Sequence, residues 1–264
     1  MIEARFGLKR RPFDKSIDSR KLYLWPGLEE LQARLEMSKQ ARGILLVTGE
    51  PGTGKTVALR RFVDSLNAEH YVTVYLPLAT VTAIDAYAQL NRALGGQDVR
   101  SKSLLYHEIQ HGVAQLAAQG KQPVIILDEA DLMRSPLFDE LRILLNFEMD
   151  SKDPLLLILA GQPQLLAKLA LRVHLPFRQR VAMRYRMPTM DEQHTRGYVE
   201  HQLRLAGRRQ RLFTDEALIQ IFVQSGGIPR AIGNLALAAM YHAAAQSKDL
   251  VELDEIVAAA KEVI

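Results

Sequence analysis

Apolar residues in this chain follow two different patterns, and the change between them divides it. Up to about residue 190, short near-continuous apolar runs alternate with segments of helical period. Ile44-Leu45-Leu46-Val47, His70 to Leu76, Val124-Ile125-Ile126-Leu127 and Leu155-Leu156-Leu157-Ile158-Leu159 read as strands. The spacing predicts helices over 27–41 (Leu28, Leu31 and Leu35 on one face), Val57 to Leu66, Ala83–Leu94, 103–119 and 136–148. Pro77, Gly95-Gly96 and Gly120 supply the stops. Strands that are apolar throughout suit a sheet buried on both faces, so the alternation predicts a parallel sheet covered by helices on each side. Beyond residue 190 the strand signal ends. Helices are predicted over 191–206, 214–225, 229–246 and 252–262, broken by Gly207, Gly226-Gly227-Ile228-Pro229 and Ser247-Lys248-Asp249. The opening, from Phe6-Gly7-Leu8 to Trp25-Pro26, is rich in aromatics and turn formers and reads as an irregular arm packed on the core. The expected organisation is an α/β core with its arm over 1–189 and a helical lid over 190–264.

Composition changes this picture little. With 264 residues and 48% hydrophobic content a sizeable core is available. There is no cysteine, which excludes disulfides, thiolate metal sites and a cysteine nucleophile. The start has no signal-peptide core, and runs such as Leu155–Ala160 are too short to span a bilayer, so a soluble, cytoplasmic protein without membrane insertion is expected. The net charge of +4 is modest, and its placement is more informative than its size.

The chemistry starts at Gly49-Glu50-Pro51-Gly52-Thr53-Gly54-Lys55-Thr56, which fills the pattern GxxxxGK[ST] between a predicted strand and a predicted helix that opens at Val57. The glycines let successive backbone N–H groups turn inward as an anion nest, and the start of the helix adds its positive end. Lys55 is placed to reach the β- and γ-phosphates of ATP, and Thr56 to put its hydroxyl on a Mg²⁺ ion. The alternative, a glycine turn ahead of an ordinary helix, does not explain the whole pattern.

Asp128-Glu129 follows the buried run Val124–Leu127, at the edge of an open sheet where ligands bind. There Asp128 helps hold Mg²⁺ and Glu129 polarises the attacking water; an acidic helix cap is the alternative. Asp128-Glu129-Ala130-Asp131 also spells a helicase box, but such enzymes carry a second strand–helix lobe and the chain after residue 190 reads as helical. Gln162, after the strand 155–159, is a candidate for the γ-phosphate or its water, with a plain turn residue as the alternative. Residues 172–186 hold Arg172, Arg178, Arg180, Arg184 and Arg186 without an acid, and Arg196, Arg204, Arg208, Arg209 and Arg211 follow. Arg178 or Arg180 is the candidate to act on a neighbour's γ-phosphate, some of the others to meet nucleic-acid phosphates, and the rest to be solvated surface. The cluster Lys9-Arg10-Arg11 reads as a solvated terminus. Arg230, in the first turn of a predicted helix after Gly226-Gly227-Ile228-Pro229, is placed to make helix position depend on nucleotide. His107 and His111 stand four apart on a predicted helix and read as residues of its amphipathic face.

Together these motifs resemble the AAA+ superfamily, and within it the ExeA-like group, over nearly the whole chain. GEPGTGKT resembles Walker A, VIILDEAD Walker B, and LLLILAGQPQL the sensor-1 strand, with Gln162 where many members carry Asn, Ser or Thr. RQR at 178–180 lies where the group places its arginine finger, and GGIPRAIGNLALAA resembles the lid, with Arg230 as sensor 2.

The group implies two jobs. Secretion members continue into a membrane segment and a cell-wall-binding domain. Neither is expected here, and the resemblance is read towards transposon ATPases of the TniB, IstB, MuB and TnsC type. That resemblance implies an ATP-dependent homo-oligomer, ring or filament, on double-stranded DNA that recruits or activates a transposase, with slow hydrolysis that times disassembly. Arg100 and Lys102, in a polar loop beyond the second strand, are the candidate DNA contacts. A secretion or envelope-assembly ATPase with a membrane partner is the rival expectation, and a non-hydrolysing scaffold a second one.

Overall fold

The structure is a computed structural model that describes residues 2–77 and 82–263. Among these residues five strands form one sheet: β1 (Gly43–Thr48), β2 (Tyr71–Pro77), β3 (Gln122–Asp128), β4 (Leu156–Gly161) and β5 (Val181–Arg186). Their order is β2-β3-β4-β1-β5, and every pair is parallel. The helices are α1 (Ile2–Phe6), α2 (Pro26–Ala41), α3 (Lys55–Ser65), α4 (Ala83–Ala93), α5 (Lys102–Ala118), α6 (Ser135–Leu144), α7 (Gln164–Ala170), α8 (Leu175–Arg178), α9 (Glu192–Leu205), α10 (Asp215–Ser225), α11 (Pro229–Ala245) and α12 (Leu253–Val263). The expected α/β fold with a helical C-terminal region is present.

The chain forms two compact units. The sheet unit comprises Glu30–Gly49 and Lys55–Met187; the helical unit takes the chain up to Glu29, residues Glu50–Gly54, and everything from Pro188 on. In the sheet unit the inner strands β1, β3 and β4 are buried almost without a break, as their apolar runs predict. Helices α4, α5 and α6 seal them through Tyr87, Leu90, Leu105, Ile109, Phe138 and Leu141. A Thr82–Asp85 capping box starts α4 by satisfying backbone donors that a helix end leaves open.

The fifth strand is where the sequence reading and the structure part. In the sequence residues 181–186 belong to an arginine-rich stretch, yet Val-Ala-Met-Arg-Tyr-Arg forms β5 at the sheet's edge. Its residues alternate half-buried and exposed, the period-2 pattern of an edge strand, and Arg184 and Arg186 take the exposed positions. The arm differs too: it holds α1 and a 3-10 turn at Ser19–Lys21.

The helical unit is built from α9 to α12 around Val199, Leu203, Ile221, Leu235, Ala239 and Ile256. Asp191 and Thr214 cap α9 and α10 with side-chain oxygens. The arm's aromatics seat here: Phe13 lies against Gly233, Tyr23 against Gly197, and Trp25 beside Pro188 and His194. No helix among the described residues is long and apolar enough to cross a membrane.

Candidate functional site

Parallel strands all point their C-terminal ends to one edge, and that edge collects the residues singled out in the sequence. The phosphate loop leaves β1 after Thr48, where Gly49 N–H donates to the Gly161 carbonyl at the tip of β4 (3.3 Å). Lys55 opens α3; its Nζ donates to the Gly49 carbonyl at 2.7 Å and the residue is only 9% exposed. Thr56 Oγ1 donates to Asp128 Oδ2 at 2.8 Å, so the strand tip of β3 and the start of α3 share one oxygen-rich point. Val57, the next residue of α3, is half-buried.

Between these anchors the middle of the loop groups with the helical unit. Thr53 Oγ1 donates to the Glu50 carbonyl (2.8 Å), while Glu50 and Pro51 are exposed. Gly52 and Gly54 take φ of +85° and +100°, which favours glycine strongly. Gly52 is also a point of close approach: a Cβ there would lie 2.8 Å from Arg230 Cβ, and Arg230 N–H donates to the Gly52 carbonyl at 3.3 Å. Arg230 is thus held on the loop itself.

Asp128 is 5% exposed and fully engaged. Its Oδ2 also accepts the Tyr75 hydroxyl (3.0 Å), and its Oδ1 accepts the Glu129 N–H (2.9 Å). Burial, then the Asp128 charge, push the Tyr75 hydroxyl up to about 12, so it remains a proton donor to that carboxylate. Glu129 is exposed at the edge in the left-handed region, φ +55° and ψ +34°, a conformation that costs a non-glycine residue about 1 kcal/mol or more.

A second carboxylate ties this strained turn to the next strand. Asp131 Oδ1 accepts the Gln162 N–H at 2.8 Å, and Lys168 Nζ donates to the carbonyls of Asp131 (2.5 Å) and Met133 (2.8 Å). Gly161 leaves room, since a Cβ there would meet Asp131 Oδ1 at 2.8 Å. The fourth residue of the acidic tetrad therefore orients Gln162, and the described chain beyond Met187 is helical apart from one isolated bridge, not a second strand–helix lobe.

The arginines fall elsewhere. Arg178 ends α8 and Arg180 precedes β5, whose first residue Val181 pairs with Ile44, while the loop follows Thr48, which pairs with Arg186. Five residues of strand separate the two levels, about 17 Å at 3.3 Å each, so neither arginine sits at its own phosphate loop. Lys102 is ion-paired with Glu140, which also accepts the Tyr87 hydroxyl, and Arg100 is exposed.

Two hard oxygens, a hydroxyl and a carboxylate, suit Mg²⁺, which usually takes few protein ligands and completes its shell with phosphate and water. Among the described residues no group of three His, Cys, Asp or Glu gathers as a metal cage. The donor set fits a nucleotide-borne ion rather than a resident one.

The AAA domain family matches residues 38–169, half of the chain, spanning the phosphate loop, Asp128-Glu129 and Gln162. The chain belongs to the AAA family. As an AAA protein it is a nucleotide-binding ATPase. It is 34% identical over 262 residues to general secretion pathway protein A of Aeromonas hydrophila, covering 98% of this chain and 48% of that protein. It is 27% identical over 118 residues to the ATP-dependent target DNA activator B of Escherichia phage Mu, covering 44% of this chain and 36% of that protein. The chain thus spans about half or less of the curated relatives it matches. In fold it superposes on Cdc6p from Pyrobaculum aerophilum with a TM-score of 0.72 at 15% identity, over 96% of this chain and 70% of that one.

Three residues at this AAA site escaped the sequence reading: Tyr75, Asp131 and Lys168. Tyr75 reaches Asp128 only because β2 pairs with β3 in the register Tyr75↔Ile126. Asp131 stood in the tetrad, but its partner lies on another strand.

Proposed function

We propose that this AAA ATPase oligomerises with ATP on duplex DNA, in the cytoplasm, and passes that state to a transposase. The observation that carries the nucleotide part is the paired Thr56 hydroxyl and Asp128 carboxylate beside the buried Lys55 at the strand tips.

Each residue then has a role. Lys55 and the loop N–H groups bind the phosphates, and Thr56 and Asp128 hold Mg²⁺, which when bound neutralises charge developing on the phosphates. Glu129 orients and deprotonates water, and Gln162, held by Asp131, faces the γ-phosphate. Arg230, held on Gly52, senses the nucleotide. Arg178 or Arg180, remote from this chain's own loop, completes a neighbour's site, which makes hydrolysis depend on assembly and keeps it slow. The DNA part is supported by the relatedness to the phage Mu target DNA activator and by the arginines at 172–211, of which Arg184 and Arg186 are exposed on β5.

The test is duplex binding by purified protein with ATP, ADP or no nucleotide, with and without Mg²⁺, across a salt series. Cooperative, ATP-dependent binding that weakens with salt is the expected result. Relatedness over 98% of the chain to general secretion pathway protein A favours a second reading, an ATPase of secretion or envelope assembly with a membrane partner. ATP-driven assembly with no duplex binding under any condition would overturn the first reading in favour of this one.

A further inference from the structure

The helical unit brings together two basic stretches that lie far apart in the sequence. Lys9-Arg10-Arg11 follows α1, and Arg204 to Arg211 closes α9 and turns away from it, with four arginines and no acid. Lys9 N–H donates to the Ala206 carbonyl (2.8 Å), and Arg10 Nε donates to that of Leu205 (3.0 Å). From the other side Arg208 Nη1 donates to the Phe6 carbonyl (2.7 Å), and the Lys9 stem lies against Gly207. The two stretches form one surface.

Part of this charge has structural work. The last carbonyls of α9 lack helical partners and carry the negative end of its dipole, so Arg10 and the Lys9 backbone satisfy them. Arg208 braces the turn, and Arg211 pairs with Asp215. That leaves Lys9, Arg11, Arg204 and Arg209. Their side chains are exposed and make no salt bridge among the described residues. Packing does not require four more cations at a helix end already capped, and Asp14 and Glu3 offset only part of the charge at Arg11.

We infer that Lys9, Arg11, Arg204 and Arg209 form a contact surface of the helical unit for the phosphate backbone of duplex DNA. The inference rests on the DNA reading above and names where the duplex is gripped. Guanidinium groups fit phosphate oxygens with two donors, and such contacts hold the duplex without reading its sequence.

The test compares wild type with Arg11→Gln/Arg204→Gln/Arg209→Gln in ATP-dependent binding of two unrelated duplexes between about 50 and 200 mM salt. The triple variant is expected to bind both about tenfold or more weakly, with a salt slope lower by about one per arginine. Its melting temperature and DNA-free ATP turnover are expected to match wild type. Each single variant should lower the slope by about one, which keeps the test open if the triple variant folds poorly. Arg100→Gln/Lys102→Gln serves as a comparison at a separate basic site. Unchanged affinity and slope in variants of a DNA-binding wild type would overturn this surface and leave the function standing. A wild type that binds no duplex removes both. Loss of binding to anionic phospholipid vesicles, with duplex binding intact, would make the surface a lipid contact and overturn the inference.

Discussion

In the sheet unit the chemistry-bearing charges sit at strand tips and are buried, with Lys55 9% and Asp128 5% exposed. In the helical unit Lys9, Arg11, Arg204 and Arg209 stand in solvent. Burying a charge costs several kcal/mol unless partners replace its water, and each buried group here has them: Gly49 for Lys55, and Thr56, Tyr75 and Glu129 N–H for Asp128. Such groups hold one geometry, which suits a small ligand of defined shape. Exposed cations cost little to keep, are screened by salt, and suit a polymer met at many equivalent phosphates. Two kinds of electrostatics therefore point to two kinds of ligand.

The largest effect that tests this division is expected at Glu129. Glu129→Gln should lower ATP turnover by about 10²–10⁴-fold while ATP binding and DNA-bound assemblies persist. If turnover survives, the strained edge carboxylate is not the base, and the sheet edge is a binding site without chemistry. Asp131→Ala comes next, because it leaves Gln162 N–H without its charged acceptor. Turnover should fall about 10–100-fold, equivalent to roughly 1.5–3 kcal/mol for a hydrogen bond to a charged group. In a double-mutant cycle with Gln162→Ala the losses should not add; additive losses would mean that Asp131 acts independently of Gln162.

Gly52→Ala tests the loop's attachment to the helical unit. With φ at +85° and Arg230 Cβ 2.8 Å from the new methyl, it should cost about 1–3 kcal/mol and weaken nucleotide binding by tenfold or more in equilibrium titration. Wild-type affinity would mean that this contact is incidental. The smallest effect is expected for Tyr75→Phe, which removes one donor from Asp128 on a residue that is 48% exposed. Turnover should fall about two- to tenfold, with a shifted Mg²⁺ requirement and an unchanged melting temperature. A lowered melting temperature with normal Mg²⁺ dependence would give Tyr75 a structural role only.

How far the sequence could be read differs between elements for definite reasons. Strands β1, β3 and β4 were plain because an inner strand must be apolar on both faces, and their runs are. Strand β5 is not legible as an apolar run because an edge strand needs only one apolar face, and arginines occupy the other. Its alternation of Val181, Met183 and Tyr185 was the available signal. The helices from α9 to α12 fell within a residue or two of expectation, since caps and glycine stops act over one turn.

By itself the sequence determined the α/β class, the phosphate loop and the acidic strand tip, because their chemistry is carried by residues adjacent in the chain or at fixed helical and strand spacing. Only the tertiary structure decided that Tyr75 and Thr56 share Asp128, that Asp131 orients Gln162, and that Arg178 and Arg180 lie strand-lengths from their own loop. It alone joined Lys9-Arg10-Arg11 to the end of α9. These contacts depend on strand register and on the packing of distant segments, and register is set by the buried core as a whole rather than by any local run of residues.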